Sequence, residues 1–172
     1  MLAWGKKVSK QFRDRVVQMG ATLQVDPNYL MACMAFETGR RFDPSVRNAA
    51  GSGAVGLIQF MPSTAQALGT STQQLASMSV VKQLDYVERY FMPRAGKLTT
   101  LEDVYMAILW PAAIGRPSAH VLFSKLDPAN PKRYVQNAGL DYNKDGVITK
   151  AEAAAGVMKQ LEIGLRAENA SP

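Results

Sequence analysis

A mainly α-helical domain ending in a helix–loop–helix is the fold this sequence predicts, on three observations. Apolar residues return every three or four positions in segment after segment, as one buried helical face requires. Ser, Thr or Asp stands ahead of most of these segments, where a side-chain oxygen can cap the first free N–H groups. The chain has 172 residues, 47% of them hydrophobic and 20% charged, which suffices for one enclosed core and excludes a disordered chain.

In chain order, Ser9 caps a first helix whose buried face is Phe12, Val16, Met19 and Leu23. Asp26-Pro27 supplies a cap and a proline at the first helical position; the helix it opens carries Leu30, Met31, Cys33, Met34 and Phe36, and Gly39 stops it. Residues 40–56 turn to Asn, Ser, Gly, Pro and Ala, the expected place of an irregular loop with a tiny β-hairpin near 43–56. Pro62-Ser63-Thr64 begins a short helix ending near Gly69, and Ser79 begins another with Val80, Leu84, Val87 and Phe91 on one face, broken by Pro93. Thr100 and Asp103 outline a capping box before Val104 to Trp110, with Asp in place of the usual Glu or Gln. The polar connection Asp127 to Pro131 divides the chain into a main body, 1–130, and a segment packed on it, 131–172.

Twenty Lys and Arg against fourteen Asp and Glu leave a net charge of +6, which permits a polyanionic partner without choosing one. The basic residues form no tail and are not interleaved with aromatics, so nucleic acid is not expected as a partner. A lone cysteine, Cys33, excludes an internal disulfide framework, and with a lone histidine, His120, a Cys/His zinc site is not expected. The longest charge-free apolar stretch, Val104 to Gly115, is 12 residues and contains Pro111, too short to span a bilayer. Lys6 and Lys7 precede no apolar run of the signal-peptide kind. A monomer without a signal peptide is expected.

Glu37 closes a helix that is otherwise uncharged from Met31 to Phe36. Burial beside Met34 and Phe36 and the negative end of the helix dipole both disfavour its ionised form. A carboxylic acid that keeps its proton near neutral pH can protonate a leaving sugar oxygen. A pairing with Arg40 or Arg41 would do the opposite. Downstream, Ala49 to Gly56 is small enough for backbone groups to approach a ligand closely, and the Gln59 amide, set among Leu57, Ile58 and Phe60, needs a polar partner that a sugar could supply.

The stretch Phe36-Glu37-Thr38-Gly39, Phe42-Asp43-Pro44, Gly53-Ala54-Val55-Gly56-Leu57-Ile58-Gln59-Phe60-Met61-Pro62 and Thr64-Ala65 resembles the soluble lytic transglycosylases and goose-type lysozymes. The resemblance implies a lysozyme-like α fold that cleaves the β-1,4 bond between N-acetylmuramic acid and N-acetylglucosamine in peptidoglycan glycan strands. It places Glu37 on the catalytic acid, and Gly56 and Gln59, with Phe60, on the loop that lines the substrate. Thr38 stands where Ser is commoner. The family's downstream A-Y-N-A-G motif is absent, and by order Tyr105 to Ala113 takes its place, with Tyr105 or Trp110 to supply the aromatic contact. With no export signal, the chain also resembles bacteriophage lysins, virion-associated wall-degrading enzymes and secreted effectors, all acting on the bacterial wall.

Product chemistry turns on a second carboxylate. With Glu37 alone, the muramyl 6-hydroxyl can close onto C1 to give a 1,6-anhydro product; with a carboxylate about 6.5–9.5 Å away, a water could be activated instead. Asp43, Asp85, Glu88 and Asp103 are the candidates, Asp43 in a turn-forming Asp-Pro-Ser context and Asp85 with Glu88 expected to face solvent. Transglycosylation is the favoured expectation; a hydrolytic lysozyme and a non-catalytic wall-binding module are the alternatives.

Asp141 to Glu152 fits an EF-hand calcium loop at every diagnostic position. Asp141, Asn143 and Asp145 offer side-chain oxygens at loop positions 1, 3 and 5, Gly146 makes the sharp turn, Val147 offers a carbonyl and Glu152 a bidentate carboxylate. A single loop fits a structural calcium clamp for the last helix better than a paired sensor.

Overall fold

The computed structural model describes all 172 residues. Eight α-helices dominate it: α1 (Lys10–Leu23), α2 (Pro27–Glu37), α3 (Pro62–Ala67), α4 (Thr72–Ser77), α5 (Val80–Phe91), α6 (Leu101–Leu109), α7 (Pro131–Asn137) and α8 (Lys150–Gly164). Two short strands, β1 (Val121–Ser124) and β2 (Val147–Thr149), and four single-turn 3-10 helices accompany them. The caps read from sequence are made: the Ser9 hydroxyl accepts from Phe12 N, Asp26 from Asn28 N, Ser79 from Lys82 N and Thr100 from Asp103 N. Phe12, Val16, Met19 and Leu23 are all fully buried, so the α1 stripe is the core face.

α2 is the axis of the molecule. Leu30 through Ala35 are buried on every side, because α1, α6 and α8 all pack against it. A helix apolar all round needs such a wrapping. Small residues set the spacing on the α8 side, where Ala153, Ala154 and Val157 are fully buried.

Four features differ from the sequence expectation. The sheet does not lie at 43–56, where only the single bridges Arg47 with Val55 and Val55 with Phe60 form. It is instead β1 antiparallel to β2, with Phe123 opposite Ile148. β2 lies within the 141–152 loop, and Val121–Ser124 supplies its partner edge. One short helix, α4, goes beyond the predicted elements, whereas α7 enters the expected C-terminal helix–loop–helix. Asp103 makes no reciprocal capping bond; its carboxylate accepts from Gly115 N at 2.9 Å and pairs with Lys150 Nζ at 2.6 Å, both side chains buried. Asp85 and Glu88 are half-buried rather than solvated, because Arg15 of α1 reaches them at 3.1 and 2.8 Å.

Candidate active site

Glu37 is the last residue of α2, and the chain is turned sharply away just after it. Thr38 makes that turn rigid: its buried hydroxyl donates to Met34 O at 2.7 Å and accepts from Phe42 N at 3.0 Å. Arg40 and Phe42 take left-handed backbone, φ 68° and 49°, a conformation uncommon for non-glycine residues. Neither neighbouring arginine reaches Glu37. Arg40 donates to Gln160 Oε1 at 2.9 Å and lies over the Trp4 ring, while Arg41 pairs with Asp43 at 3.5 Å. The Glu37 carboxyl therefore forms no ion pair and accepts no hydrogen bond from the protein, although the residue keeps a strip of accessible surface. Burial pushes its pKa up to about 8.

The surroundings of Glu37 come from α2 itself and from α6. Cys33 sits one turn back on α2, its thiol pushed well up by burial and then by the Glu37 charge. Tyr105 of α6 is 3% exposed, and its hydroxyl is raised by burial first and then by Glu37. Its ring meets Phe36 edge to face at 5.6 Å.

The loop before α3 is built around one side chain absent from the sequence expectation. Gln83 of α5 is fully buried; its Oε1 accepts from Leu57 N at 2.8 Å, and its Nε2 donates to Pro44 O at 3.0 Å and Leu75 O at 2.9 Å. Gly56 lies against it at φ +83°, and a Cβ there would stand 2.3 Å from Gln83 Oε1. Only glycine fits. Gln59 holds left-handed backbone, φ 53°, and its Nε2 donates to Val46 O and Gly56 O, both at 3.0 Å. Its amide is thus partnered within the protein on the donor side, and Oε1 remains as an acceptor.

A small pocket opens beside this loop, with Gln59, Met61, Thr64, Tyr90 and Ile108 on its wall. Glu37 does not line it. α6 joins the two: Tyr105 beside Glu37 and Ile108 in the pocket are three residues apart on one helical face, about 5 Å along the axis. Phe60 also reaches the pocket but is 2% exposed, its ring edge to face with Tyr90 at 6.4 Å, so neither ring face is free to stack on a sugar. Trp110 is wedged between Phe123, at 5.2 Å, and the Arg133 guanidinium, at 4.8 Å. Tyr90, whose hydroxyl donates to Ala107 O, is the pocket aromatic that periodicity missed, because it stands off the apolar stripe of α5.

The other carboxylates are engaged. Asp43 accepts from Ser45 N and Oγ in a turn, which holds its pKa low. Asp85 and Glu88 serve Arg15. Burial works to raise the Asp103 carboxyl, yet the bonds from Lys150 and Gly115 hold it below the usual range.

In the 141–152 loop, Asp141 Oδ2 accepts from the Tyr134 hydroxyl at 2.6 Å and from Gly146 N at 3.0 Å. Glu152 Oε2 accepts from Thr149 N, closing a capping box at the start of α8. The second oxygens, Asp141 Oδ1 and Glu152 Oε1, are buried and have no donor. No three acidic, His or Cys side chains converge into a ready cluster, so a cation here would depend also on Asn143 and the Val147 carbonyl. Two orphaned buried anionic oxygens on one loop fit a hard cation with oxygen ligands.

A mainly helical body with a small antiparallel sheet is consistent with a lysozyme-like fold. Residues 16–88 match the family model described as the transglycosylase SLT domain. Members of that family are lytic transglycosylases that cleave glycosidic bonds in peptidoglycan. The match runs from mid-α1 to α5 and takes in Glu37, Gly56, Gln59 and Phe60, but not Tyr105, Trp110 or the 141–152 loop. No curated protein matches the chain.

Proposed function

We propose that this chain cleaves the muramic acid–glucosamine β-1,4 bond of peptidoglycan as a lytic transglycosylase, with Glu37 as acid and then base. The observation that carries the reading is the unpartnered Glu37 carboxyl, held protonated to about pH 8. It gives its proton to the glycosidic oxygen as the bond to C1 breaks. The muramyl 6-hydroxyl oxygen then bonds to C1, and its proton passes to the Glu37 carboxylate. The enzyme is regenerated and no water is consumed. Asp43, Asp85, Glu88 and Asp103 are all bound to other partners, which favours this route over activation of a water. Gln59 Oε1 and Tyr90 are the groups to meet the sugars; Tyr105, 3% exposed, is too buried to reach them and instead packs beside Glu37.

Mass spectrometry of muropeptides released from purified sacculi tests this. Anhydromuramyl ends are expected from the native chain and none from Glu37→Gln; reducing ends would show a hydrolase, and no release a wall-binding module.

Calcium is the cation proposed for the 141–152 loop, held by Asp141, Asn143, Asp145, the Val147 carbonyl and Glu152. When bound, it supplies charge neutralisation and a fixed start for α8, not chemistry. The orphaned oxygens of Asp141 and Glu152 support it.

A further inference from the structure

Glycine inside a helix disfavours it by about 1 kcal/mol relative to alanine, yet Gly156 sits in the middle of α8. Its reason is a close approach. A Cβ at Gly156 would stand 2.4 Å from Phe36 Cε2 and 3.2 Å from both Cδ2 and Cζ. The Phe36 ring cannot swing away freely, because Tyr105 meets it edge to face on α6. Phe36 is joined directly to Glu37, and Tyr105 is near enough to feel the Glu37 charge. α8, α2 and α6 thus meet on one ring.

We infer that Gly156 is a positioning residue for Glu37: the missing side chain lets α8 seat the Phe36 ring, which fixes the end of α2 and the place of Tyr105. The inference rests on the proposed role of Glu37. The remaining groups around that carboxyl are few. On α2 it faces Cys33 and on α6 Tyr105, and the charged pair between α6 and α8, Asp103 with Lys150, is closed on itself. Arg40 is held by Gln160 of α8 and Trp4. A shift of Phe36 therefore changes the solvation of Glu37 more than its charge partners.

The test compares the full chain with Gly156→Ala, Phe36→Leu and the double variant. Two readouts are needed: kcat and KM on sacculi, and the Glu37 carboxyl titration followed by 13C NMR. Gly156→Ala is expected to lower kcat about ten- to hundredfold with KM little changed, and to move the Glu37 midpoint down from about 8. In the Phe36→Leu background the same alanine should change little, since the crowded ring is gone. Unchanged kcat and midpoint in Gly156→Ala overturn the inference, as does an equal loss with and without Phe36→Leu. If Gly156→Ala does not fold, Phe36→Leu alone decides, because loosening the contact from its other side must also lower the midpoint. A native chain that releases nothing from sacculi overturns the enzymatic reading, while the NMR midpoints still decide the contact.

Discussion

Glu37 is a residue whose stability and chemistry pull in opposite directions. Its folded pKa, about 8, lies above the value of 4.5 for an unburied glutamate. Below pH 4.5 both folded and unfolded states are protonated and the group is neutral to stability. Between those values the folded state alone keeps the proton, so stability falls as pH rises, by up to roughly 1.4 kcal/mol per pH unit and less for the part of the carboxyl that water reaches. Above pH 8 the loss is complete. Glu37→Gln should accordingly be more stable than the native chain at pH 8, with the difference vanishing near pH 4, as measured by denaturant unfolding at both pH values. The residue was legible in sequence from its apolar neighbours. That Arg40 and Arg41 leave it alone was not, since their partners Gln160, Trp4 and Asp43 depend on tertiary placement.

At the scale of elements, Gln83 does what periodicity could not announce. On α5 it occupies an apolar face, and local pattern reads such a polar residue as an exception. Its three bonds instead fasten the Gly56 loop, Pro44 and the end of α4 to one helix. Gln83→Leu keeps the bulk but strands buried Leu57 N and Leu75 O, and partly buried Pro44 O. It should cost about 2–4 kcal/mol in unfolding free energy and raise KM on sacculi more than it lowers kcat. Helices with caps and a clear stripe, α1 and α2 above all, were legible because their determinants lie within a few residues. The sheet was misplaced for the converse reason. Its strands are distant in sequence, so no local pattern could announce that Val121–Ser124 pairs with Val147–Thr149.

The whole molecule is closed by α8. Its apolar face completes the core against α2, Trp4 donates to Gln160 O at 2.9 Å, and Leu2 and Ser171 exchange backbone bonds at 2.8 and 3.1 Å. Lys150, at the first turn, is tied into α6 through Asp103. Lys150→Met should destabilise by about 3–5 kcal/mol by leaving Asp103 buried and unpaired, and Lys150→Met with Asp103→Leu should recover much of that. Calcium at a hundredfold excess over its Kd should raise Tm by roughly 5–10 °C. EGTA should reverse the rise, and Glu152→Ala should abolish it. An unchanged Tm would exclude occupancy of the loop. The loop's donor spacing was plain in sequence; its structural linkage to the Glu37 helix, through α8, emerged only from packing.

The most direct measurement is kcat/KM on purified sacculi as a function of pH. Activity is expected to fall through a single ionisation near pH 8, as Glu37 loses its proton. An alkaline limb already complete by pH 5 to 6 would mean that Glu37 is an ordinary ionised carboxylate, and would contradict the proposal that it is the proton donor.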